Sequence, residues 1–512
     1  MFTRDYDWIL ASASGVLLAI SFPKFGHPAF GWIALAPLLV ALVSGSLSRA
    51  FVLGLTAGVI YFAGTLYWVA RVMLVYGGFE AWAGTMLAYV MAALVNAALI
   101  AYLALFPALF AVLVRRLVWS YGATALVAAP LVWVATELGR THLFTGFPWV
   151  LLGYSQVRVL PVAQLASVFG VYGVSALVAG VSAALAIAVV RGPSAGRFVP
   201  AAAMFAIVVG VAAWGSVRAA GAALTRTGQP IRVGLVQGNV DQAEKESPAR
   251  SAAIFQEYLG MTRQAIGRGA DLVLWPESST TFYFEEDPIA AGRIRAIARE
   301  ARVSILVGSD QIERGAPTRY YNSAFLVGEN GATGGVYRKI HLVPFGEYVP
   351  LKRVFFFAAP LVEAVSDFSA GSESSLLPVR GHYISTAICY EIVYPDLVRR
   401  FVLAGSELLT TITNDAWFGP TSAPYQHFEQ ASMRAIEEGR YLVRSANTGI
   451  SGIVDPYGRV LERSDIYQQT VLVGTARFLD ARTIYSRTGD VFAYAAVVAT
   501  AVLLVGGRRR VQ

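Results

Sequence analysis

The stretch YISTAICYE, residues 383–391, joins an apolar strand-like run to the single cysteine of this 512-residue chain. The run Tyr383–Ile388 is rich in β-branched and aromatic residues, which predicts a strand that ends at Cys389. A lone thiol has no intramolecular disulfide partner, so Cys389 is a packing residue, a site of oxidation or a nucleophile. Free cysteine is among the residue types most often buried, which favours packing while this stretch is considered alone.

Two further stretches place ionisable groups beside strand-like runs. LWPES at Leu274–Ser278 carries Glu277, and YRKIHLVPFGEYVP at Tyr337–Pro350 carries Lys339. Lys and Glu are usually exposed, so each of them taken singly is expected to be a solvated surface group. Together with Cys389 they supply a base, a cation and a nucleophile, which is the set that thiol chemistry needs.

The segment around these stretches predicts a globular α/β domain. Strand-like runs occur at 231–237, 271–275, 303–309, 383–388, 408–413 and 470–476, and helix-like runs at about 248–268, 288–302 and 427–440. Such alternation favours mixed sheets covered by helices. A DPYG turn between runs near 450–455 and 459–463 predicts a hairpin.

The composition of the whole chain is typical of a membrane protein. Hydrophobic residues make up 56% and charged residues 14%, the mean hydropathy is +0.54, and soluble domains carry about a quarter charged residues. Residues 1–220 hold 11 Lys and Arg against 4 Asp and Glu, whereas 221–507 hold 27 against 29. The basic surplus therefore belongs to the apolar part and the C-terminal tail, which excludes a basic nucleic-acid-binding surface.

Apolar stretches long enough to be considered as membrane spans occur at 8–22, 29–44, 50–70, 84–113, 121–138, 160–190, 197–220 and 489–507. A span needs about 20 apolar residues, so the first two are short for a perpendicular crossing. The sequence thus predicts about eight spans. We expect a transmembrane bundle of about seven spans at 1–221, a catalytic domain at 222–487, and a final span with a basic tail at 488–512.

Positive charge at the span ends predicts the orientation. With the N-terminus inside, nine basic residues lie at inner ends and five at outer ends. The inner set is Arg4, Arg49, Arg115, Arg116, Arg191, Arg197, Arg508, Arg509 and Arg510; the outer set is Lys24, Arg71, Arg140, Arg158 and Arg218. Because basic residues favour the cytoplasmic side, both termini are expected inside. Residues 222–487 would then lie on the outer, periplasmic face of a bacterial inner membrane.

The three stretches together resemble the nitrilase superfamily, whose catalytic triad is Glu-Lys-Cys in that chain order. The resemblance covers most of 229–480 and includes VQGN, NDAWFG at Asn414–Gly419 and RSANTG at Arg444–Gly449. With the domain inserted between membrane spans, the chain resembles more narrowly the apolipoprotein N-acyltransferase family. The resemblance implies an αββα sandwich beside an α-helical transmembrane bundle.

The resemblance also implies a two-step acyl transfer. Glu277 would deprotonate Cys389, which would attack a phospholipid ester and keep the acyl chain as a thioester until the amine of a diacylglyceryl-cysteine apolipoprotein takes it. Lys339 and the backbone N–H of Tyr390 would stabilise the oxyanion. A glutamate that serves as base at neutral pH usually needs a raised pKa, and the preceding Trp275 and Pro276 predict an apolar setting that would raise it.

Three more positions match the family near this triad. Glu347 is expected to orient Lys339 or Glu277, while Tyr390 and Glu391 flank the nucleophile; an aromatic core filler and an ion-paired carboxylate are the alternatives for these two. The chain departs from the family after VQGN, because Glu246 stands where a tryptophan commonly occurs. That departure puts an aromatic contact near the site mouth in doubt.

Both implied substrates carry acyl chains, so the bilayer itself would be a partner and the site would open at its surface. The loop LFTGFPWVLLGY at 143–154 has the aromatic content of an interfacial belt. Such a loop would either guide lipid towards the site or anchor the helices beside it.

Two other functions are considered. A membrane-anchored amidase that hydrolyses a small amide would use the same triad, although eight spans exceed what an anchor needs. A transporter usually carries ionisable residues at mid-membrane, whereas the apolar stretches hold two acidic residues, Glu137 and Asp490, each near an end of its stretch. The five histidines are scattered without ligand spacing and no nucleotide-binding fingerprint occurs, so we expect neither a metal nor another cofactor.

Overall fold

The computed structural model describes residues 6–76, 79–192, 196–344, 346–348 and 368–508. These residues form two compact units. One is helical and contains the described residues before Val75, Phe79–Gly221 and the C-terminal helix from Arg487; the other is α/β and contains Ala222–Ser486 with Val75 and Tyr76. The basic residues Arg4, Arg509 and Arg510 lie outside the described residues.

The helices follow the chain in this order: α1 (Tyr6–Ala19), α2 (Ala36–Ala41), α3 (Leu47–Leu66), α4 (Trp68–Tyr76), α5 (Phe79–Tyr121), α6 (Ala129–His142), α7 (Leu160–Ala163), α8 (Ala166–Val190), α9 (Val199–Gly221), α10 (Gln242–Glu246), α11 (Pro248–Gly267), α12 (Pro288–Ala301), α13 (Pro395–Ala404), α14 (Ala423–Glu438), α15 (Ile484–Thr488) and α16 (Val491–Arg508).

Among the residues that the structure describes, four helices are long and apolar enough to cross a membrane. They span Leu47–Leu66, Thr85–Tyr121, Ala166–Val190 and Val199–Thr225, and shorter apolar helices span Tyr6–Ala19, Pro28–Ala41 and Val491–Gly507. The membrane character that the composition predicts is therefore present. The count of about eight spans is not confirmed, because several of the apolar segments form helices shorter than a full crossing.

Small residues allow two of the long helices to pack closely. A Cβ added to Gly54 of α3 would lie 2.5 Å from the Pro107 carbonyl oxygen of α5, and one added to Gly58 would lie 2.9 Å from the Ala104 Cα. Glycines four residues apart on one helix face are a common basis for helix packing in membranes. A larger side chain at either glycine would push α3 and α5 apart.

The aromatic loop of this unit is only partly exposed. Trp149 and Tyr154 are buried, and the Trp149 ring lies 5.2 Å from the ring of Trp68. Phe144, in contrast, is 80% exposed. Trp149 and Tyr154 therefore pack inside the helical unit. Of these three aromatic residues, Phe144 alone is exposed enough for the predicted interfacial role.

The described residues of the α/β unit form two six-stranded sheets. The strands are β1 (Pro230–Gln237), β2 (Leu272–Leu274), β3 (Ser304–Glu313), β4 (Arg319–Val327), β5 (Thr333–Arg338), β6 (Leu377–Val379), β7 (His382–Ile388), β8 (Leu408–Thr413), β9 (Leu442–Ala446), β10 (Gly452–Val454), β11 (Val460–Arg463) and β12 (Thr470–Arg477). The first sheet has the order β12-β1-β2-β3-β4-β5 and the second β11-β10-β9-β8-β7-β6.

The two sheets face each other directly. The Ser445 hydroxyl on β9 donates to the carbonyl oxygens of Val236 (3.0 Å) and Leu274 (3.2 Å) on the first sheet. On the outer side of that sheet, Ile254 and Ile294 of α11 and α12 belong to one buried apolar cluster with the strand side chains. Burying each such side chain contributes about 1.5–3 kcal/mol. Helices cover the second sheet through α13 and α14, so the predicted αββα sandwich is present.

Candidate active site

Glu277 lies just after β2, where the chain leaves the first sheet. Its carboxylate is 7% exposed, which differs from the solvated surface group expected of a glutamate considered alone. The next residue, Ser278, has a left-handed φ of +41°, so the chain turns sharply there. A Cβ at Gly308 on β3 would lie only 2.1 Å from the Pro276 carbonyl oxygen, so this turn requires a glycine on the neighbouring strand.

Lys339 follows β5 and is 1% exposed. Its Nζ lies 3.2 Å from Glu277 Oε1 and 2.8 Å from Glu347 Oε1. The second oxygen of Glu347 accepts the backbone N–H of Val343 at 2.7 Å. The expectation that Glu347 orients Lys339 is therefore consistent with a direct ion pair between them.

Asn322 on β4 joins the two carboxylates, and sequence reasoning missed it. Its Nδ2 donates to Glu277 Oε1 at 2.7 Å and to Glu347 Oε1 at 3.0 Å. The backbone N–H of Asn414, just after β8 in the second sheet, donates to Glu277 Oε2 at 2.8 Å. Glu277 is thus held by donors from both sheets. In the sequence, the indication that Asn322 belongs to the site was a polar amide within the mostly apolar run YYNSAF.

These contacts determine the charge state of the pair. Burial by itself would raise the pKa of Glu277, but the Lys339 charge and the hydrogen bonds from Asn322 and Asn414 bring that pKa below its usual value. Burial would lower the pKa of Lys339, but Glu277 and Glu347 raise that pKa well above its usual value. Both groups are therefore charged at neutral pH.

The expectation that an apolar setting raises the pKa of Glu277 is wrong. Trp275 is fully buried, but its indole Nε1 donates to the Thr262 hydroxyl of α11 at 2.8 Å. The ring therefore packs under the helices on the outer face of the sheet. The carboxylate two residues later lies among ionic and amide groups instead.

Cys389 directly follows β7 and begins the short 3₁₀ turn Cys389–Val393. Its φ of +52° is left-handed, a conformation that costs a non-glycine residue of order 1–3 kcal/mol and is often found at functional sites. The side chain is buried. Burial first, and then the nearby Glu277 carboxylate, raise the pKa of the thiol above its usual value although Lys339 opposes them. The resting group is therefore a thiol, which needs a base before it can attack.

Glu391 connects the segment around Cys389 to the end of β5, which Lys339 follows. Its Oε1 accepts the Tyr337 hydroxyl (2.7 Å) and the backbone N–H groups of Ile340 (2.7 Å) and His341 (3.0 Å). Its Oε2 accepts the N–H of Ile388 at 2.7 Å. Burial raises the pKa of Glu391 to about 7. The alternative of an ion-paired carboxylate does not fit these neutral donors.

Tyr390 is buried beside two other rings. Its ring lies 5.2 Å from that of Tyr394 and 6.0 Å from that of His341. This packing agrees with the alternative of an aromatic core filler, while its backbone N–H remains the predicted oxyanion donor. The side chain of Glu246, where the sequence departs from the family, lies outside the described residues.

The site offers acid–base and nucleophilic chemistry. A buried carboxylate, a buried ammonium group and a thiol at a strained strand end are the components of acyl transfer through a covalent intermediate. Among the residues that the structure describes, no group of three or more His, Cys, Asp or Glu side chains could hold a metal ion.

Comparison with protein families gives two matches. Residues 232–484 match the Carbon-nitrogen hydrolase family, and residues 14–184 match the Apolipoprotein N-acyltransferase N-terminal domain. The first match covers the α/β unit and the second most of the helical unit.

Relatives match over nearly the whole chain. A protein of Geobacter metallireducens named apolipoprotein N-acyltransferase is 41% identical over 98% of this chain and 96% of its own length. One of the same name from Methylococcus capsulatus is 36% identical over 94% of this chain and 92% of its own.

Among solved structures, an amidase of the nitrilase superfamily from Nesterenkonia is similar over 52% of this chain and 97% of its own, with 21% identity and a TM-score of 0.39. A carbon-nitrogen hydrolase from Helicobacter pylori covers 53% of this chain and 94% of its own, with 16% identity and a TM-score of 0.38.

Proposed function

The chain belongs to the apolipoprotein N-acyltransferase family, and from this we propose that it moves a fatty acyl chain from a membrane phospholipid to the N-terminal amine of a diacylglyceryl-cysteine apolipoprotein. The acyl chain passes through a thioester on Cys389. One observation carries the proposal: the Lys339 ammonium group lies 3.2 Å from the Glu277 carboxylate, and both groups act electrostatically on the thiol of Cys389.

The first half of the reaction forms the thioester. Glu277 takes the proton of the Cys389 thiol as Sγ bonds to the ester carbonyl carbon of the phospholipid. The ester C–O bond then breaks, and Glu277 returns the proton to the leaving lysophospholipid oxygen. Because the pKa of Glu277 is low and the thiol pKa is high, a free thiolate would be scarce; proton transfer is therefore coupled to the attack.

The second half transfers the acyl chain to nitrogen. The neutral amine of the apolipoprotein attacks the thioester carbonyl carbon, and Glu277 accepts a proton from that nitrogen. The C–S bond breaks, Glu277 gives the proton to the departing sulfur, and the thiol of Cys389 is restored. Glu277 thus ends each half in the state in which it began.

Lys339 and the backbone N–H of Tyr390 stabilise the negative oxygen that develops in both halves. The ammonium group is desolvated, so its interaction with a developing oxyanion is stronger than it would be in water. Glu347 and Asn322 hold the side chains of Lys339 and Glu277 in place through contacts of 2.7–3.0 Å. These two residues therefore position the reacting groups.

The catalytic domain at 222–487 is proposed to lie on the periplasmic side of the bacterial inner membrane. The basic residues at the span ends support this orientation. About eight crossings remain the proposal, because helical segments coincide with each of the eight apolar stretches. An outer-leaflet phospholipid and a lipid-modified protein would both reach such a site from the bilayer.

Intact mass of the purified protein tests this function. Wild-type protein from membranes should carry a mass increase of one fatty acyl group, which hydroxylamine removes because thioesters are labile to it. Cys389→Ala should lose both the adduct and the transfer of acyl chains to an apolipoprotein peptide, while it still inserts into the membrane.

Two results would count against the proposal. Transfer by Cys389→Ala within about tenfold of wild type would exclude the thioester. Release of free fatty acid without transfer to the peptide amine, or hydrolysis of small amides in its place, would favour the amidase alternative.

A further inference from the structure

A second buried polar cluster lies behind the nucleophile. It consists of Asp415, His427 and Arg444, which are all at most 1% exposed. The cluster is separate from the hydrogen bonds that join Glu277, Lys339 and their partners. Buried charge is costly unless it is paired, so the position of the cluster calls for an explanation.

The His427 ring reaches the backbone of the nucleophile. From α14, its Nε2 lies 3.1 Å from the carbonyl oxygen of Cys389. A carbonyl oxygen only accepts hydrogen bonds, so Nε2 carries the hydrogen. On the other side of the ring, Nδ1 lies 3.0 Å from Arg444 Nη2, from which it can accept, and 3.1 Å from Asp415 Oδ1. Burial, and then the Arg444 charge, lower the pKa of His427 although the Asp415 carboxylate opposes them, so the ring is neutral at neutral pH.

Asp415 and Arg444 fix the ring in this orientation. Arg444 Nη2 lies 3.0 Å from Asp415 Oδ2, and Asp415 Oδ1 accepts the Thr413 hydroxyl at 2.9 Å. A Cβ at Gly449 would lie 2.1 Å from Asp415 Oδ2, so the backbone closes directly over the carboxylate. The cluster therefore supports the nucleophile at two places: His427 holds the Cys389 carbonyl oxygen, and Thr413, which donates to Asp415, hydrogen-bonds the Cys389 thiol.

The geometry of the peptide bond gives the His427 contact a consequence. The carbonyl of Cys389 and the N–H of Tyr390 belong to one planar, trans peptide group, so they point in opposite directions. Holding the carbonyl oxygen on one side aims the N–H to the other. That N–H is the proposed second oxyanion donor, and oxyanion donors act only when they are aimed before the charge develops.

We propose that His427, held by Asp415 and Arg444, is a positioning residue that aims the Tyr390 N–H at the oxyanion. The inference rests on the proposed acyl transfer, in which that N–H is a donor. Two properties of the site are then distinct. The reactivity of the thiol depends on Cys389 and Glu277, whereas stabilisation of the oxyanion depends on the orientation of the Cys389–Tyr390 peptide.

Two reactions of the same thiol distinguish these properties. Acylation by a phospholipid passes through an oxyanion, whereas alkylation by iodoacetamide is a displacement at carbon that forms none. A variant that merely loosens the site should change both rates together. A variant that misaims the peptide N–H should slow acylation and leave alkylation nearly unchanged.

His427→Asn and His427→Gln form a matched pair of variants. The Gln amide nitrogen can stand near the place of Nε2 and donate to the Cys389 carbonyl, whereas Asn is one methylene shorter and cannot reach it. His427→Leu is a second variant without a donor, should His427→Asn fail to fold. Single-turnover acylation is followed by intact mass, and alkylation by the same readout.

We expect His427→Asn and His427→Leu to slow acylation about 10²-fold, within the range found for loss of one oxyanion donor, with alkylation within about threefold of wild type. His427→Gln should stay within about tenfold in acylation. Acylation by both donor-less variants at the wild-type rate, or equal losses in acylation and alkylation, would overturn the inference. Failure of the proposed function is a different result, because the wild-type protein itself would then take up no acyl group.

Discussion

Lys339→Met removes the single cation that lies between two buried carboxylates. In the wild-type protein, Nζ contacts both Glu277 and Glu347 at 3.2 and 2.8 Å, and the ammonium group is 1% exposed. Methionine has a similar length and fills the same space without charge. The two carboxylates, both in contact with Asn322 Nδ2, would then repel each other.

The cost of this substitution follows from burial. Breaking a buried ion pair by removing one partner destabilises a protein by about 3–5 kcal/mol. Because Lys339 is a proposed oxyanion donor, its loss should also lower the rate of the proposed acylation of Cys389 by about 10²–10³. Stability and activity are thus both expected to fall, for two separable reasons.

The loss of stability should depend on pH. Lys339 keeps the pKa of Glu277 below its unfolded value, so in wild type this carboxylate stabilises the fold above about pH 4.5. Without Lys339, burial dominates and the folded-state pKa rises above the unfolded value. The group then stabilises the fold at low pH and loses that contribution as pH rises through its folded pKa. The difference between wild type and variant should therefore grow from pH 5 to pH 8.

Thermal unfolding of the detergent-solubilised protein at pH 5 and pH 8, at one scan rate, measures this difference. The matched control is Arg338→Met, which removes a half-exposed ion pair with Glu313; exposed pairs contribute about 0–1 kcal/mol. A Lys339→Met loss no larger than that of Arg338→Met, or equal at both pH values, would refute the account of the buried charges. Wild-type acyl-enzyme formation by Lys339→Met would refute its role with the oxyanion.

Two further predictions use other parts of the chain. Burial raises the folded-state pKa of Glu391 to about 7, so this group stabilises the fold at low pH and its contribution is lost as pH rises through that value. Glu391→Gln should therefore make the unfolding temperature fall less between about pH 5 and pH 8. An unchanged pH profile of the unfolding temperature would contradict this. In a Cys389→Ala background, a membrane-impermeant thiol reagent on spheroplasts should label a cysteine placed at Ser247 and spare one placed at Gln512, and the reverse pattern would overturn the proposed orientation.

Strong local patterns allowed much of the α/β fold to be predicted. The apolar runs at 231–237, 408–413 and 470–476 form β1, β8 and β12, because each combines β-branched residues with clear turn signals. The strands β4 and β9 were missed. Their sequences, RYYNSAFLV and LVRSA, carry buried polar groups for the site and its support, and these interrupt the pattern that marks a strand.

The candidate site, like the fold, could be predicted from the sequence only in part. Motif resemblance pointed to Glu277 and Lys339, which the structure brings into contact. The charge states of Glu277 and Lys339 could not be predicted from the residues beside them in the sequence. Trp275 faces the other side of the sheet, and Asn322, which binds Glu277, comes from a different strand. Likewise, His427 has no signal in its spacing; its role depends on a contact with a backbone oxygen.

The pairing of β1 with β12 has a consequence for the order of folding. The ladder runs from Pro230 opposite Arg477 to Gln237 opposite Thr470, so the first strand of the domain is completed by its last. During synthesis β1 emerges long before its partner and leaves one edge unpaired, a hazard for aggregation. Such distant pairing also slows folding. The sheet that carries Glu277 and Lys339 can close only after translation has passed Arg477, so these two side chains come together late in the synthesis of the domain.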